Sequence, residues 1–220
     1  MPGLKKHLPD IRFGGNKVAP DEIDARYRYT VMYPSIGANT LGTIAAGTVA
    51  AAWTVVNTKC DYSRNLLFTV TGPAGGVGGT CTVNGTNQFG VSISETITIG
   101  SANGGGTAAG TKVFDTIANG TYSPNGVNNN STTVLGYAKG TASGIACLLG
   151  LPVKIAAVGD VKRITWIANG TQTDLTGGTI STYVSTTNHT FMGSSILAAT
   201  DIYVVDVLSS YNSANDTNVA

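Results

Sequence analysis

Histidine, the side chain most often used for acid–base and metal chemistry, occurs only twice in this chain, as His7 and His189. His189 lies in the segment TTNHT, from which a serine–histidine–aspartate arrangement could be drawn with Asp201. No GxSxG motif or comparable pattern singles out a nucleophilic serine. The sequence therefore predicts no catalytic residue, and a protein that is not an enzyme.

Metal and cofactor ligands show no motif either. Cys60, Cys81 and Cys147 have the spacing of neither a zinc site nor a redox pair, so we expect small apolar core residues. The glycine-rich run 72–79 follows a predicted strand but lacks the Gly-Lys-Ser/Thr ending of a phosphate loop. We therefore expect no metal site and no cofactor.

The charge balance argues against two classes of partner. The formal net charge is +1, and only 11% of residues are charged. A basic cluster at Lys5, Lys6, His7 and Arg12 has no aromatic stacking module beside it, so nucleic acid is not an expected partner. No apolar run approaches the roughly 20 residues that span a bilayer, so we expect no membrane association.

Residues 1–40 differ from the rest of the chain, because they hold six of the 13 Lys/Arg residues and four of the seven prolines. Proline disfavours long regular elements, which predicts an extended N-terminal arm. Tyrosine and arginine are enriched at interfaces, so the arm either docks on a neighbouring subunit or folds back on its own domain. The predicted subunit-contact residues are Lys5, Lys6, Arg12, Arg26, Tyr27, Arg28, Tyr29 and Tyr33.

The stretch from Arg64 to Gly100 alternates apolar and polar residues with a period of two, which is typical of half-buried strands. Its last segment places Ile93, Ile97 and Ile99 on one face, together with Val91, and serines and threonines on the other. Similar alternation at 66–70 and 81–83 predicts a meander of neighbouring antiparallel strands. Glu95 falls in the apolar row, where an uncompensated carboxylate costs several kcal/mol. It therefore needs a partner, a bulge or a sheet edge.

Further strands are predicted at 43–57, 112–117, 133–138, 161–168, 179–185, 189–192 and 201–208. The dipeptide Asn169-Gly170 predicts a two-residue hairpin turn. With eight to ten short strands and no helix of more than two turns, the predicted fold is all-β. We expect an antiparallel β-sandwich or Greek-key barrel, Ig-like or jelly-roll-like, at 41–208. The arm at 1–40 precedes it, and a flexible tail follows at 209–220.

The segments DYSRNLLFTVTG, GTCTVNGTNQFGVSISETITI, GTAAGTKVFDTI, LGLPVKI and NGT resemble structural proteins of tailed-bacteriophage virions. In that family Asp-x-x-Arg-Asn opens a strand, and Gly-Thr-Asp/Asn-x-x-Gly-x-x-x-x-Glu-Thr-Ile closes a hairpin. The matching positions are 61–65 and 85–97, and the resemblance covers about residues 58–175. It implies that Arg64 and Glu95 form a structural ion pair between adjacent strands.

The resemblance also implies a function in the virion, by binding rather than catalysis. We expect a capsid decoration (cement) protein on the outer surface of the phage head, assembled in the host cytoplasm. Its partners would be the major capsid protein and copies of itself, as a homotrimer. A tail or head-fibre component that contacts the host is the alternative. A carbohydrate-binding β-sandwich is a further one, in which Trp53, Trp166 or Tyr122 would stack on sugars.

Overall fold

The regular structure of the chain is almost entirely antiparallel β-strand, which confirms the predicted all-β class. One turn of 3-10 helix, Val158–Asp160, is the exception within the described residues. The computed structural model describes residues 12–13, 16–17, 24–32, 41–44, 51–52, 54–55, 58–72, 77–102, 105–124, 132–137, 147–175, 184–192 and 200–210.

Most of the seventeen strands in the described residues are short, but four in the middle of the chain have at least ten residues. The seventeen strands are β1 (Arg12–Phe13), β2 (Asn16–Lys17), β3 (Asp24–Met32), β4 (Gly42–Ile44), β5 (Ala51–Ala52), β6 (Thr54–Val55), β7 (Lys59–Thr71), β8 (Val77–Thr86), β9 (Ser92–Ala102), β10 (Gly105–Pro124), β11 (Thr132–Tyr137), β12 (Leu148–Gly150), β13 (Val161–Ala168), β14 (Thr171–Asp174), β15 (Val184–Ser185), β16 (Thr190–Met192) and β17 (Ile202–Ser210).

The larger sheet has the strand order β15-β16-β12-β7-β10-β8-β9, and β11 pairs with β7 and β4. Strand β10 is 20 residues long; its first part pairs with β7 and its second part with β8. The pairing with β7 shifts register between Ala109 and Val113, and again between Phe114 and Thr116. Bulges of this kind bend a strand and let it pass from one partner to another.

The position of β10 corrects the predicted meander. Strands β8 and β9 form the expected hairpin, but β10 lies between β7 and β8. The sequence predicts a loop over 101–110, but residues 105–110 are the start of this strand. Sequence alternation specifies which face of a strand is buried and carries no information about which strand lies beside it.

The first hydrophobic core lies beneath β7, β8, β9, β10 and β11. Ile97 and Ile99 are buried on it, whereas Thr96 and Thr98 are exposed, which confirms the predicted faces of β9. Val91, which precedes the strand, is 56% exposed and does not join that face. The core consists of Leu41, Cys60, Leu66, Phe68, Val70, Cys81, Val83, Ile97, Ile99, Phe114, Ile117, Tyr122 and Leu135.

The second core lies between a four-stranded sheet, of order β14-β13-β17-β3, and the β12, β15 and β16 end of the larger sheet. Asn169 and Gly170 have φ values of 49° and 80° and connect β13 to β14, which confirms the predicted turn. Buried side chains here are Val31, Cys147, Leu149, Leu151, Ile155, Val161, Ile164, Val184, Phe191, Tyr203, Val205 and Val207.

Strand β3 corrects the prediction of an extended arm over residues 1–40. It has nine residues and pairs along its whole length with β17, so 24–32 belong to the β domain. The prolines that argued against a regular element flank the strand at 20 and 34. Strand β17 includes Ser209 and Ser210, so the prediction of a tail at 209–220 places its start two residues too early. Residues 211–220 lie outside the described part.

Candidate functional surfaces

Arg64 is wholly buried on β7, and its ion-pair partner is Asp61. Arg64 Nη1 donates to the two Asp61 carboxylate oxygens at 3.2 and 3.4 Å, and Nη2 lies 4.0 Å from Cys147 Sγ. The implied pair with Glu95 is therefore wrong. Glu95 is on β9, and both β10 and β8 lie between β9 and β7.

The Glu95 carboxylate instead accepts hydrogen bonds from the bulge of β10. Its Oε1 accepts from Thr111 N at 2.6 Å, Thr111 Oγ1 at 3.0 Å and Lys112 N at 3.2 Å. A Cβ at Gly110 would overlap this carboxylate, so the glycine makes room for it. Of the three solutions that the sequence left open, a bulge is therefore the one the fold uses. The carboxylate satisfies backbone N–H groups where the bulge interrupts the ladder between β10 and β7.

Asn65 on β7 also bonds to a backbone group at the bulge of β10. Its Nδ2 donates to the Gly110 carbonyl at 2.8 Å, and its Oδ1 accepts from Leu148 N at 2.8 Å. This single buried amide therefore joins β7 to β10 and to the start of β12. Both of its polar atoms bond to backbone groups, as a buried side chain requires.

The hairpin motif at 85–97 is explained by turn and packing geometry. Asn87 Oδ1 accepts from Phe89 N and Val91 N, each at 3.0 Å, and Gly90 has a φ of 76°. A Cβ at Gly85 would overlap the Thr116 carbonyl oxygen of β10. These positions shape the β8–β9 hairpin and its contact with β10.

The described residues of the predicted subunit-contact set contact their own chain. Arg28 Nε donates to Asp206 Oδ1 at 2.8 Å, and this carboxylate raises the pKa of the guanidinium. Tyr29 packs edge-on against Phe191 with ring centroids 6.4 Å apart, and burial raises the pKa of its hydroxyl. Strand β3, which carries both residues, therefore folds back on its own domain. The side chains of Arg12, Arg26 and Tyr27 and all of Lys5, Lys6 and Tyr33 lie outside the described residues.

The outward face of β8, β9 and β10 carries an ordered set of hydroxyl and amide side chains. Strand register aligns them in four rows of three, and none is charged. Three contacts join neighbouring strands: Thr82–Thr96 at 3.0 Å, Asn84–Asn119 at 2.7 Å and Thr86–Thr116 at 2.6 Å. We call this surface the hydroxyl–amide face; it comprises Thr80, Thr82, Asn84, Thr86, Ser92, Ser94, Thr96, Thr98, Thr116, Asn119, Thr121 and Ser123.

Two open clefts flank the tip of the β8–β9 hairpin. One, of about 400 Å³, lies on the hydroxyl–amide face between Asn84, Thr86, Ser94 and Thr116. The other, of about 170 Å³, lies between the turn at 87–90 and the turn that contains His189. We call this second one the hairpin cleft. Its lining includes Asn87, Gln88, Phe89, Lys112, Thr187 and His189.

His189 is held by its surroundings rather than by a catalytic partner. Its Nδ1 accepts from Ile155 N at 3.2 Å, and its pKa is lowered by burial and by the charge of Lys154. Asp201, the carboxylate considered with it, is buried and accepts from Tyr203 Oη at 3.3 Å. The structure therefore does not bring the two residues together as a catalytic pair.

Of the aromatic residues proposed to stack on sugars, the two that the structure describes are not exposed platforms. Tyr122 is 2% exposed and its hydroxyl donates to the Gly78 carbonyl at 2.9 Å. Trp166 is half-buried against the second core, and Trp53 lies outside the described residues. Tyr122 is therefore a core residue, which corrects the role that the sequence suggested for it.

All three cysteines are buried and none forms a disulfide, which confirms their prediction as core residues. Burial, together with the nearby Asp61 carboxylate, raises the pKa of Cys60 to about 12. Burial also raises the pKa of Cys147, although Arg64 opposes the shift. Both thiols are therefore protonated at neutral pH, and a thiolate is the reactive form of cysteine.

Apart from His189, the sequence pattern did not single out the residues that line the hairpin cleft. Lys112 lies at a bulge inside a strand, and Gln88 and Thr187 lie in turns far apart in the chain. The one available signal is the NQFG turn, where an asparagine and a glycine flank an aromatic residue in a surface loop.

Comparison with known proteins adds no assignment. No protein-family model matches the chain, and neither a curated protein nor a solved structure is detectably similar to it. Within the described ranges, no three His, Cys, Asp or Glu side chains are grouped so that they could hold a metal ion. The same ranges contain no helix with the length and hydropathy of a membrane span.

Proposed function

We propose that this chain is a non-enzymatic structural protein of a tailed-phage virion. More specifically, we propose a decoration (cement) protein that binds the outer surface of the head. The observation that carries the proposal is the set of bonds made by polar residues in the two motifs at 61–65 and 85–97, which carry the resemblance. Asp61 and Arg64 bond to each other, and Asn87 bonds to backbone groups of its own turn. Asn65 and Glu95 bond to backbone groups at the bulge of β10. These polar residues stiffen a β-module, which suits a load-bearing protein.

The hydroxyl–amide face supports a binding role. Its side chains can exchange water for hydrogen bonds to a partner, and none of them brings a charge whose burial would be costly. A standard interface buries about 800 Å² per partner. Repeated over symmetry-related copies, contacts of this size give a large total stabilisation without any single strong bond. The proposed partners are the major capsid protein and further copies of this chain in a homotrimer.

The test is the effect of the protein on the particle. Virions that lack the protein are compared with complete virions during heating and during transfer to low salt. We expect the deficient particles to release DNA earlier, and we expect purified protein added back to restore the complete behaviour. Deficient particles that remain as stable as complete ones would rule out the cement function.

Copy number separates this proposal from the tail or head-fibre alternative. A decoration protein follows the symmetry of the capsid lattice, whereas a tail-tip protein is present only at the single vertex that bears the tail. Quantitative mass spectrometry of purified virions measures the ratio of this chain to the major capsid protein. A fixed ratio set by the lattice supports decoration, and a ratio far below it supports the tail.

A further inference from the structure

The hairpin cleft brings together three parts of the chain that are distant in sequence. The β8–β9 turn contributes Asn87, Gln88 and Phe89, the bulge of β10 contributes Lys112, and the later turn contributes Thr187 and His189. Its volume of about 170 Å³ lies below the about 300 Å³ at which pockets for drug-sized ligands begin. It can therefore enclose one small polar unit, and its open side leaves room for a longer molecule to continue.

The walls of the cleft are held in place by bonds to backbone groups. Gln88 Nε2 donates to the carbonyls of Asn188 and His189 at 3.0 and 3.2 Å, which ties the two turns together. Phe89 packs edge-on against the His189 ring with centroids 5.5 Å apart, and Lys154 Nζ lies 5.6 Å from the Phe89 centroid. A ligand would therefore meet side chains that are already ordered, which lowers the entropic cost of binding.

Asn87 and Gln88 each use one of their two polar side-chain atoms in hydrogen bonds to described backbone groups. Asn87 is bonded through Oδ1 and Gln88 through Nε2, so the Asn87 amide N–H groups and Gln88 Oε1 remain for a ligand. His189 accepts at Nδ1, which places the proton of its neutral ring on Nε2 as a donor. Lys112 Nζ donates one bond, to Ser94 O at 2.7 Å, and an ammonium has three donors.

The remaining groups favour an anionic ligand that also carries hydroxyls. Donors from Asn87, His189 and Lys112 exceed acceptors, Lys112 is a cation, and none of the residues that line the cleft is a carboxylate. Gln88 Oε1 and the Thr187 hydroxyl can accept from hydroxyl groups. We propose that the hairpin cleft binds an acidic sugar unit, with the sugar carboxylate at Lys112 and ring hydroxyls at Gln88 and Thr187.

Three probes of matched chemistry test the ligand class by calorimetry and by amide chemical shifts. D-glucuronate carries both the carboxylate and the ring hydroxyls, D-glucose carries the hydroxyls without the carboxylate, and acetate carries the carboxylate alone. We expect glucuronate to bind at least about tenfold more tightly than either of the others, a difference of about 1.4 kcal/mol. The shifts should concentrate at 87–91, 112 and 187–189. Equal affinity for glucose or for acetate, or no binding of glucuronate, would overturn the proposal.

A charge-removing variant tests the role of Lys112. Lys112→Gln keeps most of the side-chain length and leaves the backbone N–H that bonds to Glu95, so we expect a normal melting temperature. Glucuronate affinity should fall about tenfold toward that of glucose. The matched control is Lys162→Gln, an exposed lysine on β13 in the other sheet, which should bind like the unmodified protein. An unchanged affinity in Lys112→Gln would contradict the proposed carboxylate position.

Discussion

The larger sheet and the four-stranded sheet are stabilised by different kinds of polar contact. In the larger sheet, buried or half-buried side chains bond to backbone groups where a bulge interrupts a ladder, as Asn65 and Glu95 do at the bulge of β10. In the four-stranded sheet the ladder between β3 and β17 continues without a register shift over nine residue pairs, and the ion pairs of this sheet lie toward solvent. Arg163 and Asp174 are an example, with side chains 48% and 47% exposed.

This difference follows from backbone hydrogen bonding. A continuous ladder pairs its own backbone N–H and C=O groups, whereas a strand with a bulge leaves some of these groups without a ladder partner. Polar side chains then supply the missing hydrogen bonds and contribute to the stability of the fold. Substitution of polar residues should therefore cost much more in the larger sheet than in the four-stranded one.

The largest expected effect is that of Arg64→Ala. The side chain is wholly buried, so its loss leaves a cavity and removes the partner of Asp61, and we expect a loss of about 3–5 kcal/mol in the free energy of unfolding. Arg163→Ala, at the exposed pair of the other sheet, should cost about 0–1 kcal/mol. Urea unfolding measures both. Similar losses in the two variants would remove the contrast between the sheets.

Gly85→Ala should have the next largest effect. The new methyl group would overlap the Thr116 carbonyl oxygen, so β8 and β10 must separate, and we expect a loss of about 1–3 kcal/mol. Gly100→Ala on β9 is the control, because no atom lies within 4 Å of the added Cβ. The two midpoints of urea unfolding are compared. A tolerated Gly85→Ala would mean that these strands are less closely apposed than we describe.

Glu95→Ala should destabilise the protein by about 1–3 kcal/mol, because it leaves the Thr111 and Lys112 N–H groups without their acceptor. Glu95→Gln keeps one carbonyl oxygen and should lose less. Amide hydrogen exchange at Thr111 and Lys112 separates the proposed role from general destabilisation. Both amides should exchange faster in Glu95→Ala, with a smaller change in Glu95→Gln. Unchanged exchange in the alanine variant would contradict the bulge-capping role.

The smallest effect should be a pH dependence due to His189. Because its folded pKa is lowered, the unfolded state takes up a proton first as the pH falls. The stability is complete above the unfolded pKa of about 6.5 and decreases as the pH drops below it, by at most about 1.4 kcal/mol per pH unit. His189→Asn tolerates the positive φ of this position and should show a shallower decrease between pH 7 and 5. Equal slopes would exclude His189 as the cause.

Local features were predicted well because their causes are local. The bounds of β13, the Asn169-Gly170 turn and the burial of the cysteines all follow from side-chain type and period-two alternation. Strict alternation would place Val161 and Arg163 on one face of β13, whereas the structure buries Val161 and exposes Arg163. A register shift between these two residues turns Arg163 outward while Val161 and Ile164 face the second core. A bulge of one residue reverses every later assignment along a strand.

Glu95 separates what the sequence determined from what the tertiary structure decided. The sequence alone showed an all-β chain and a carboxylate in an apolar row that required compensation. Only the fold supplied the compensating group, because β10 crosses between β7 and β8 and presents its bulge to that carboxylate. Alternation is a property of neighbouring residues, whereas the choice of a partner strand depends on how distant segments close together. The hairpin cleft exists only after that choice.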